Sequence, residues 1–207
     1  MTSHSTILID VGTGNLHSVM NALQSLELDI KVASNPSDLM KLERVILPGV
    51  GAFGKFMEGL HRTRLEEPLI NIIQRGIPLL GICVGMQALF ESSDEMGTTK
   101  GLGLLSGKVT RFPDNLGLKV PHTGWNQIWP RELKSPTLLA NIDPGNYAYF
   151  NHSYFCLPDD VQDISAATDY GISFSSMVQK GSIYGVQFHP EKSQGVGLKI
   201  LQNFMKL

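Results

Sequence analysis

The segment PLLGICVGMQALFE, residues 78–91, constrains the fold more than any other part of this chain. Apolar residues lead directly into GICVG (residues 81–85), and apolar residues at helical spacing follow at once. The pattern predicts a strand, a sharp turn and a helix, with Cys83 at the turn. Flanking glycines permit the strained nucleophile elbow, and the N-terminus of a helix favours a thiolate. A buried structural cysteine remains the alternative interpretation.

A second segment, YGVQFHPE at residues 184–191, supplies candidate partners for this cysteine. It reads as a strand that ends at Pro190, because proline has no N–H to offer to a neighbouring strand. Strand alternation would then place His189 and Glu191 on the same face. A carboxylate beside an imidazole fixes its tautomer and stabilises the imidazolium. Cys83, His189 and Glu191 are therefore the candidate nucleophile, base and orienting acid.

Composition limits the remaining possibilities. The chain has 207 residues, ordinary apolar content and a net charge of −2, which predicts one soluble α/β domain over residues 1–207 and no nucleic-acid partner. Residues 1–10 lack the basic and apolar regions of a leader, and no apolar run is long enough for a membrane span, so we expect a cytoplasmic protein. Cys83 and Cys156 do not suggest a disulfide framework. Metal-ligand spacing is absent, and neither a metal nor a cofactor is expected.

Hydrophobic periodicity predicts alternating strands and helices in the first half and mostly strands from residue 104 onward. The predicted strands are residues 6–10, 29–33, 44–47, 78–82, 108–112, 120–128, 147–155, 164–168, 174–179 and 183–188. The predicted helices are residues 15–26, 36–41, 53–75 with a break near Pro68, and 194–207. The expected fold is α/β, with a mostly parallel sheet flanked by helices and added antiparallel β structure.

A glycine-rich loop, PGVG at residues 48–51, follows the third predicted strand. The third and fourth strands should be neighbours in a parallel sheet, which places this loop beside Cys83 at the end of the sheet where open α/β folds bind ligands. Its backbone N–H groups can then face the oxygen of a tetrahedral intermediate as an oxyanion hole. The simpler interpretation is that the glycines only permit a tight turn before the next helix.

Three motifs in this order, PGVG (48–51), GICVGMQ (81–87) and FHPE (188–191), resemble those of the class I (triad) glutamine amidotransferases, whose fold is flavodoxin-like. Five segments narrow the resemblance to the glutaminase subunits of imidazole glycerol phosphate synthases. These segments are GTGNL (12–16), LPGVGAF (47–53), PHTGWN (121–126), HSY (152–154) and HPEKS (189–193). The similarity extends over nearly the whole chain, although Val11, Val84 and Thr123 depart from the usual pattern.

The resemblance implies a role for each matching position. Cys83, His189 and Glu191 would form the triad, and Val50 and Gly51 the oxyanion hole. Gln87, Ser153 and Tyr154 would hold the α-amino and α-carboxylate ends of glutamine. The positions that would face the partner are Asn15, Pro121, Trp125 and Lys192.

The implied activity is hydrolysis of L-glutamine to glutamate and ammonia, which passes to a (β/α)₈-barrel cyclase subunit in a heterodimer of histidine biosynthesis. Since one domain accounts for the 207 residues, we expect the acceptor chemistry on that second chain. Docking is expected to switch the enzyme on by flipping a peptide in the loop at residues 48–51. Three alternatives remain: a glutaminase for another synthase, such as one of surface-sugar amidation, a stand-alone γ-glutamyl hydrolase, and a non-catalytic scaffold.

Overall fold

The structure, a computed structural model, describes residues 6–12, 16–39, 42–131 and 138–207. Strands in these residues are, in chain order, β1 (Thr6–Ile9), β2 (Ile30–Ala33), β3 (Arg44–Gly49), β4 (Leu79–Cys83), β5 (Phe90–Ser93), β6 (Thr99–Lys100), β7 (Leu105–Arg111), β8 (His122–Pro130), β9 (Asn146–His152), β10 (Tyr154–Pro158), β11 (Ile164–Asp169), β12 (Ser173–Lys180) and β13 (Ile183–Val186). The α-helices are α1 (Leu16–Gln24), α2 (Phe53–Thr63), α3 (Glu66–Gln74), α4 (Val84–Gln87) and α5 (Gln194–Phe204). Short 3₁₀ helices are Pro36–Leu39, Asp114–Leu116, Val161–Asp163 and Pro190–Lys192.

A nine-stranded sheet in the order β2-β1-β3-β4-β13-β12-β11-β8-β9 forms the centre of the fold. The strands from β2 to β13 pair in parallel, and those from β13 to β9 pair antiparallel. The expected α/β architecture, a parallel core extended by antiparallel strands, is therefore confirmed. Strand β4 lies between β3 and β13, so the carboxyl ends of these three parallel strands lie side by side.

The central parallel strands are buried along their whole length. Every residue of β3 and β4 is buried, as continuous apolar runs require when both faces of a parallel sheet are covered. Helix α1 buries Val19, Ala22 and Leu23, whose spacing forms one apolar face. Across the described residues, no helix combines the length and apolar character that crossing a bilayer requires.

A smaller four-stranded sheet in the order β10-β7-β5-β6 packs beside the large one. Aromatic rings join the two sheets: Phe112 follows β7, Phe155 belongs to β10, and Phe174 belongs to β12 of the large sheet. The ring centroid of Phe112 lies 4.7 Å from that of Phe155 and 5.4 Å from that of Phe174. This contact fixes the position of β10, whose first residue lies at the candidate site.

The predicted break in the helical segment at residues 53–75 was placed at the wrong residue. The chain leaves α2 at Arg64, which adopts the left-handed conformation with φ of 57° and donates its backbone N–H to the carbonyl of His61. Pro68 lies in the first turn of α3, where a missing N–H removes no helical hydrogen bond. Proline is therefore compatible with the second helix and does not end the first.

Two further differences from the predicted elements affect the candidate site. The predicted strand at residues 147–155 divides at Ser153 into β9 and β10, which belong to different sheets. The helix after Cys83 is short, since α4 ends at Gln87 and β5 begins at Phe90. Short apolar runs fit either a helix or a strand, and their tertiary neighbours decide between them.

Candidate active site

Cys83 stands at the end of β4 in a strained backbone conformation. Its φ of 54° and ψ of −110° lie outside the regions that non-glycine residues usually adopt. Such strain costs about 1–3 kcal/mol and persists only where the surroundings impose it, often at functional sites. The side chain is mostly buried but lines an open cavity. This is the geometry expected of a nucleophile elbow.

The two glycines around Cys83 are required by close backbone contacts. A Cβ on Gly85 would collide with the carbonyl oxygen of Leu47 in β3, and a Cβ on Gly81 would lie 2.7 Å from the carbonyl oxygen of Gly85. The elbow therefore folds directly against β3 and against itself. Any larger residue at either position would force the backbone around Cys83 to shift.

His189 lies beside Cys83 and is oriented by Glu191. Nδ1 of His189 donates to Oε1 of Glu191 at 2.8 Å, and the side chain of Cys83 is close enough to the imidazole to raise its pKa. Burial lowers the pKa of His189, but the hydrogen bonds and negative charges of Cys83 and Glu191 outweigh it and raise the pKa to about 10. The imidazolium form is therefore stabilised between a sulfur and a carboxylate. The structure brings the three residues together, as the sequence predicted.

The predicted reason for the pairing of His189 with Glu191 was wrong. Strand β13 ends at Val186, and Glu191 belongs to the 3₁₀ helix Pro190–Lys192. A 3₁₀ turn, rather than strand alternation, brings the carboxylate to the imidazole. Pro190 occupies the first position of this turn, where no N–H is needed.

The loop at residues 48–51 lies beside Cys83, because Gly49 of β3 is paired with Cys83 of β4. Val50 and Gly51 line the cavity that holds Cys83, and they also line a second cavity of about 350 Å³ on their other side. Gly51 has a φ of 86°, which favours glycine even though no atom lies within 4 Å of the position of a Cβ. The loop thus has open space on two sides.

The main cavity has a volume of about 420 Å³. The residues from the sequence prediction that line it are Val50, Gly51, Cys83, Gln87, Pro121, Ser153, Tyr154, His189 and Lys192. Glu191 lies behind His189, and Trp125 lies outside the cavity. Asn15 is not among the residues that the structure describes. In the described part of the chain, no group of three or more His, Cys, Asp or Glu side chains could hold a metal ion.

Gln87 is held by two hydrogen bonds from the same nitrogen. Its Nε2 donates to the backbone carbonyl of Tyr154 at 3.0 Å and to Oε1 of Gln187 at 3.2 Å. Both amide hydrogens are therefore committed to the protein. Only Oε1 of Gln87 remains for a ligand, so this residue suits a donor such as an ammonium group and not a carboxylate.

Sequence reasoning missed three polar residues of the site, Glu95, Asn151 and Gln187, of which Glu95 and Asn151 line the cavity. Glu95 lines the cavity, and its carboxylate accepts the backbone N–H of Phe53 at 2.6 Å, at the N-terminus of α2. Gln187 is fully buried and its Nε2 donates to Sγ of Cys83 at 3.7 Å. Gln187 could have been identified from the sequence, because it lies only two residues before His189 in the same segment. Nothing in the local sequence around Glu95 distinguished it from a solvated acid.

A pair of buried, neutral histidines lies at the cavity, and His152 is one of the residues that line it. Nδ1 of His122 lies 3.1 Å from Nε2 of His152, whose Nδ1 lies 2.8 Å from the carbonyl of Tyr154. Because that carbonyl can only accept, Nδ1 is the donor on both rings, and Asn126 Nδ2 donates to Nε2 of His122 at 3.2 Å. Burial lowers the pKa of His152 to about 3 and that of His122 to about 4. Neither adds a positive charge beside His189 near neutral pH.

An exposed tryptophan packs against a partly buried tyrosine close to a residue that lines the cavity. Trp125 of β8 is 46% exposed, and its ring centroid lies 6.0 Å from that of Tyr149 in a T-shaped arrangement. Nζ of Lys192 lies 5.7 Å from the centroid of the same tyrosine ring. Trp125 is thus a surface residue and not a core aromatic. Trp125 and Lys192 both contact the ring of Tyr149, and Lys192 also lines the cavity.

The sequence of this chain is similar to one protein family and to several proteins of known name. The sequence model of the family described as "Glutamine amidotransferase class-I" matches residues 7–207. "Imidazole glycerol phosphate synthase subunit HisH" of Dehalococcoides mccartyi (strain CBDB1) is 46% identical over 200 residues, which cover 97% of this chain and 96% of that protein. The protein of the same name from Listeria innocua serovar 6a is 45% identical over 202 residues, covering 97% and 95%.

Solved structures of low sequence identity share the fold. "Structure of PurLQS from Thermotoga maritima" matches with a TM-score of 0.77 at 17% identity, covering 99% of both chains. "Crystal structure of glutamine amidotransferase" matches with a TM-score of 0.75 at 18% identity, covering 97% of both chains.

Proposed function

The chain belongs to the class-I glutamine amidotransferase family, and we propose that it is the glutaminase subunit of an imidazole glycerol phosphate synthase. One observation carries the proposed chemistry: Cys83 and His189 line the same cavity, and His189 is hydrogen-bonded to the buried carboxylate of Glu191. The assignment to this synthase rests on relatives named "Imidazole glycerol phosphate synthase subunit HisH", which are 43–46% identical over nearly their whole length.

In the first half of the reaction, the thiolate of Cys83 attacks the side-chain carbonyl carbon of L-glutamine. The tetrahedral intermediate collapses as its carbon–nitrogen bond breaks, and His189 gives its proton to the departing nitrogen. The products of this step are ammonia and a thioester between Cys83 and the glutamyl group. Glu191 holds the imidazole in the tautomer that points its other nitrogen toward the reacting atoms.

In the second half, water attacks the thioester while His189 accepts its proton. The carbon–sulfur bond then breaks, which releases glutamate and restores the thiolate of Cys83 beside the imidazolium of His189. The balance is one glutamine and one water converted to one glutamate and one ammonia. Every step uses side chains and water alone, and no cofactor is required.

The polar groups of the cavity suit the two charged ends of glutamine. Oε1 of Gln87 and the carboxylate of Glu95 are acceptors, which match the α-ammonium group. Ser153 and Tyr154 line the same cavity and offer donors for the α-carboxylate. Glutamine bound in this way would extend its side-chain amide toward Cys83.

Backbone N–H groups of Val50 and Gly51 are the proposed oxyanion hole. Both residues line the cavity, and the pairing of Gly49 with Cys83 keeps the loop beside the sulfur. Backbone donors directed at the developing oxyanion typically contribute about 10²–10³ in rate each. The open space on both sides of the loop is compatible with the peptide flip that the sequence predicted.

We propose that the acceptor is a (β/α)₈-barrel cyclase, which docks as the second subunit of a heterodimer for histidine biosynthesis. The word "subunit" in the names of the relatives supports a complex. Pro121 and Lys192 at the cavity mouth and Trp125 beside them are the proposed partner-facing residues. Residues 1–207 are proposed to form a single domain, which is supported by a hydrophobic core that joins both sheets. The cytoplasmic location of the protein remains a prediction.

Glutamine hydrolysis by the purified chain, with and without the cyclase and its nucleotide substrate, tests this function. We expect Cys83→Ala to abolish glutamate release, and Cys156→Ala, the matched change at a buried cysteine outside the triad, to retain it. Full glutaminase activity in Cys83→Ala would refute the mechanism. Ammonia transfer only to an unrelated synthase would instead support the alternative partner, and full activity without any partner would favour a stand-alone hydrolase.

A further inference from the structure

Gln187 is a buried amide directly beside the proposed nucleophile. Strand β13 pairs in parallel with β4, and the last registered pair is Val186 with Ile82, so Gln187 follows in line with Cys83. Its backbone N–H donates to the carbonyl of Ser176 at 2.9 Å, which holds its main chain against β12. The side chain is completely buried. Such a group must have its polar atoms paired inside the protein.

The orientation of the Gln187 amide is determined by a chain of hydrogen bonds that begins at a main-chain carbonyl. The carbonyl of Tyr154 can only accept, which assigns Nε2 to the end of Gln87 that faces it. The same nitrogen donates to the Gln187 amide at 3.2 Å, which makes the nearer atom of Gln187 its oxygen, Oε1. Nε2 of Gln187 is therefore the atom that faces Sγ of Cys83, at 3.7 Å. A reversed Gln187 amide would place its N–H donors against those of Gln87.

We propose that Gln187 is a further catalytic residue, whose side-chain N–H stabilises the anionic sulfur of Cys83. The inference rests on the proposed function, in which this sulfur is the nucleophile. A hydrogen bond to a charged acceptor is roughly twice as strong as one between neutral groups. The bond is therefore weak while sulfur is a thiol or thioester and strong when it is a thiolate. It stabilises the attacking thiolate and, in the second half of the reaction, the thiolate that leaves the tetrahedral intermediate.

The same hydrogen-bonded chain connects the sulfur to the substrate pocket. Gln87 lines the cavity and has only its Oε1 available to a ligand. A donor on the substrate that binds this oxygen polarises the amide and strengthens the N–H groups on its other end. Those N–H groups in turn hold Gln187 in the orientation that faces Cys83. Occupation of the pocket and stabilisation of the thiolate are thereby linked through two amides.

The test measures the rate of Cys83 alkylation by iodoacetamide between pH 5 and pH 10 in the wild-type chain and in Gln187→Met. Peptide mapping reports Cys83 separately from Cys156, whose thiol is fully buried. Methionine retains the approximate length and volume but lacks the N–H donor. We expect the midpoint of the alkylation profile to rise by about one pH unit. We also expect kcat for glutamine to fall about tenfold, with a smaller change in KM. An unchanged midpoint would overturn the proposal.

Asn203→Leu is the matched control for a purely structural effect. Asn203 is another buried amide, and its Nδ2 donates to the carbonyls of Leu138 and Ala140, both at 2.8 Å. Both variants should unfold at a lower temperature than the wild type. Only Gln187→Met should move the alkylation midpoint. An equal movement in both variants would show that loosening of the core, and not loss of a donor, changes the thiol.

A measurement on the wild-type chain covers the case in which Gln187→Met does not fold. In a ¹⁵N-labelled sample, the side-chain N–H signals of Gln187 should shift with the alkylation midpoint of Cys83, while those of Asn203 should not. If the side-chain N–H chemical shifts of Gln187 do not change with pH around the alkylation midpoint of Cys83, the proposal is refuted. If the wild type hydrolyses no glutamine but Gln187→Met still raises the midpoint, the proposed function fails and the thiolate contact stands.

Discussion

His189 donates its backbone N–H to the backbone carbonyl of Tyr149 at 2.8 Å. Ser193 closes the other side of this link, since its hydroxyl accepts the N–H of Tyr149 at 3.0 Å and donates to the carbonyl of His189 at 2.6 Å. Both main-chain polar groups of the proposed catalytic histidine are thus held against one residue of the edge strand β9. A displacement of this strand must therefore reach His189.

The side chain of Tyr149 faces the proposed partner surface. Its ring contacts Trp125, which is nearly half exposed, and lies beneath the ammonium group of Lys192. The backbone of Tyr149 and its ring thus connect the triad with the surface where docking is proposed. This connection is separate from the loop at residues 48–51, and it gives a partner a second way to influence the site.

Ser193→Ala should lower kcat about five- to tenfold with little change in KM, because loss of one or two hydrogen bonds loosens His189. Steady-state glutamine hydrolysis provides the measurement. Ser175→Ala is the control, since Ser175 is also buried and its hydroxyl donates to the carbonyl of Cys156, outside the triad. Equal losses of kcat in the two variants would argue against a positioning role for Ser193.

Trp125→Ala should weaken binding of the cyclase by about tenfold or more, as expected for a large aromatic side chain at an interface. Titration calorimetry measures the affinity, and the glutamine turnover of the complex measures the coupling. Trp129→Ala is the matched control: Trp129 lies on the same strand and is 48% exposed, against 46% for Trp125. If neither affinity nor coupling changes in Trp125→Ala, its role is structural.

Glu191→Gln should reduce kcat at least about 10²-fold, because the amide cannot stabilise the imidazolium as the carboxylate does. Burial lowers the pKa of His189, and the neighbouring sulfur and carboxylate raise it to about 10. Removal of the carboxylate therefore lowers this pKa. The alkaline loss of kcat/KM should occur at lower pH in the variant. If the alkaline loss of kcat/KM occurs at the same pH in the variant and the wild type, Glu191 does not raise the pKa of His189.

The isolated chain should be a poor glutaminase, and the cyclase with its nucleotide ligand should raise glutamine turnover roughly 10²-fold, which matches the recovery of one oxyanion donor. The peptide units around Val50 and Gly51 have open space on both sides, so two arrangements of the loop are sterically accessible. Turnover measured before and after addition of each component tests this. High turnover that stays constant throughout would indicate a preformed oxyanion hole.

Acidification from pH 7 to pH 5 should lower the free energy of unfolding, partly through His152. Burial lowers the pKa of His152 to about 3 from its ordinary 6.5, so below pH 6.5 the unfolded chain binds more protons than the folded chain. The expected contribution of this residue is about 2 kcal/mol between pH 7 and pH 5. Urea denaturation at both pH values measures it.

His152→Gln should reduce this acid-induced loss of stability. The raised pKa of His189 acts in the opposite direction, but it is present in both proteins and cancels in the comparison. His61→Gln is the control, because His61 is exposed. An acid-induced loss that is the same in the wild type and His152→Gln would show that protonation of this buried ring does not limit stability.

The sequence alone determined the parts of this protein that depend on neighbours in the chain. The elbow around Cys83 follows from two glycines between a strand and a helix. The sequence also identified His189 and Glu191 as a pair, although a 3₁₀ turn and not strand alternation joins them. The pairing of β3 with β4, and hence the loop beside the sulfur, follows from their consecutive places in a parallel sheet. These features identified all three residues of the proposed triad.

Tertiary structure decided the contacts between residues far apart in the chain. Gln187 reaches Cys83 because β13 inserts beside β4, and Glu95 enters the cavity because its carboxylate accepts an N–H at the start of α2. Periodicity shows which side chains are buried but not which buried strand lies next to which. The division of the predicted strand at residues 147–155 is another feature that only tertiary structure decided. Its first part, β9, pairs in the nine-stranded sheet and its second part, β10, in the four-stranded sheet, and the packing of the two sheets determines where the strand divides.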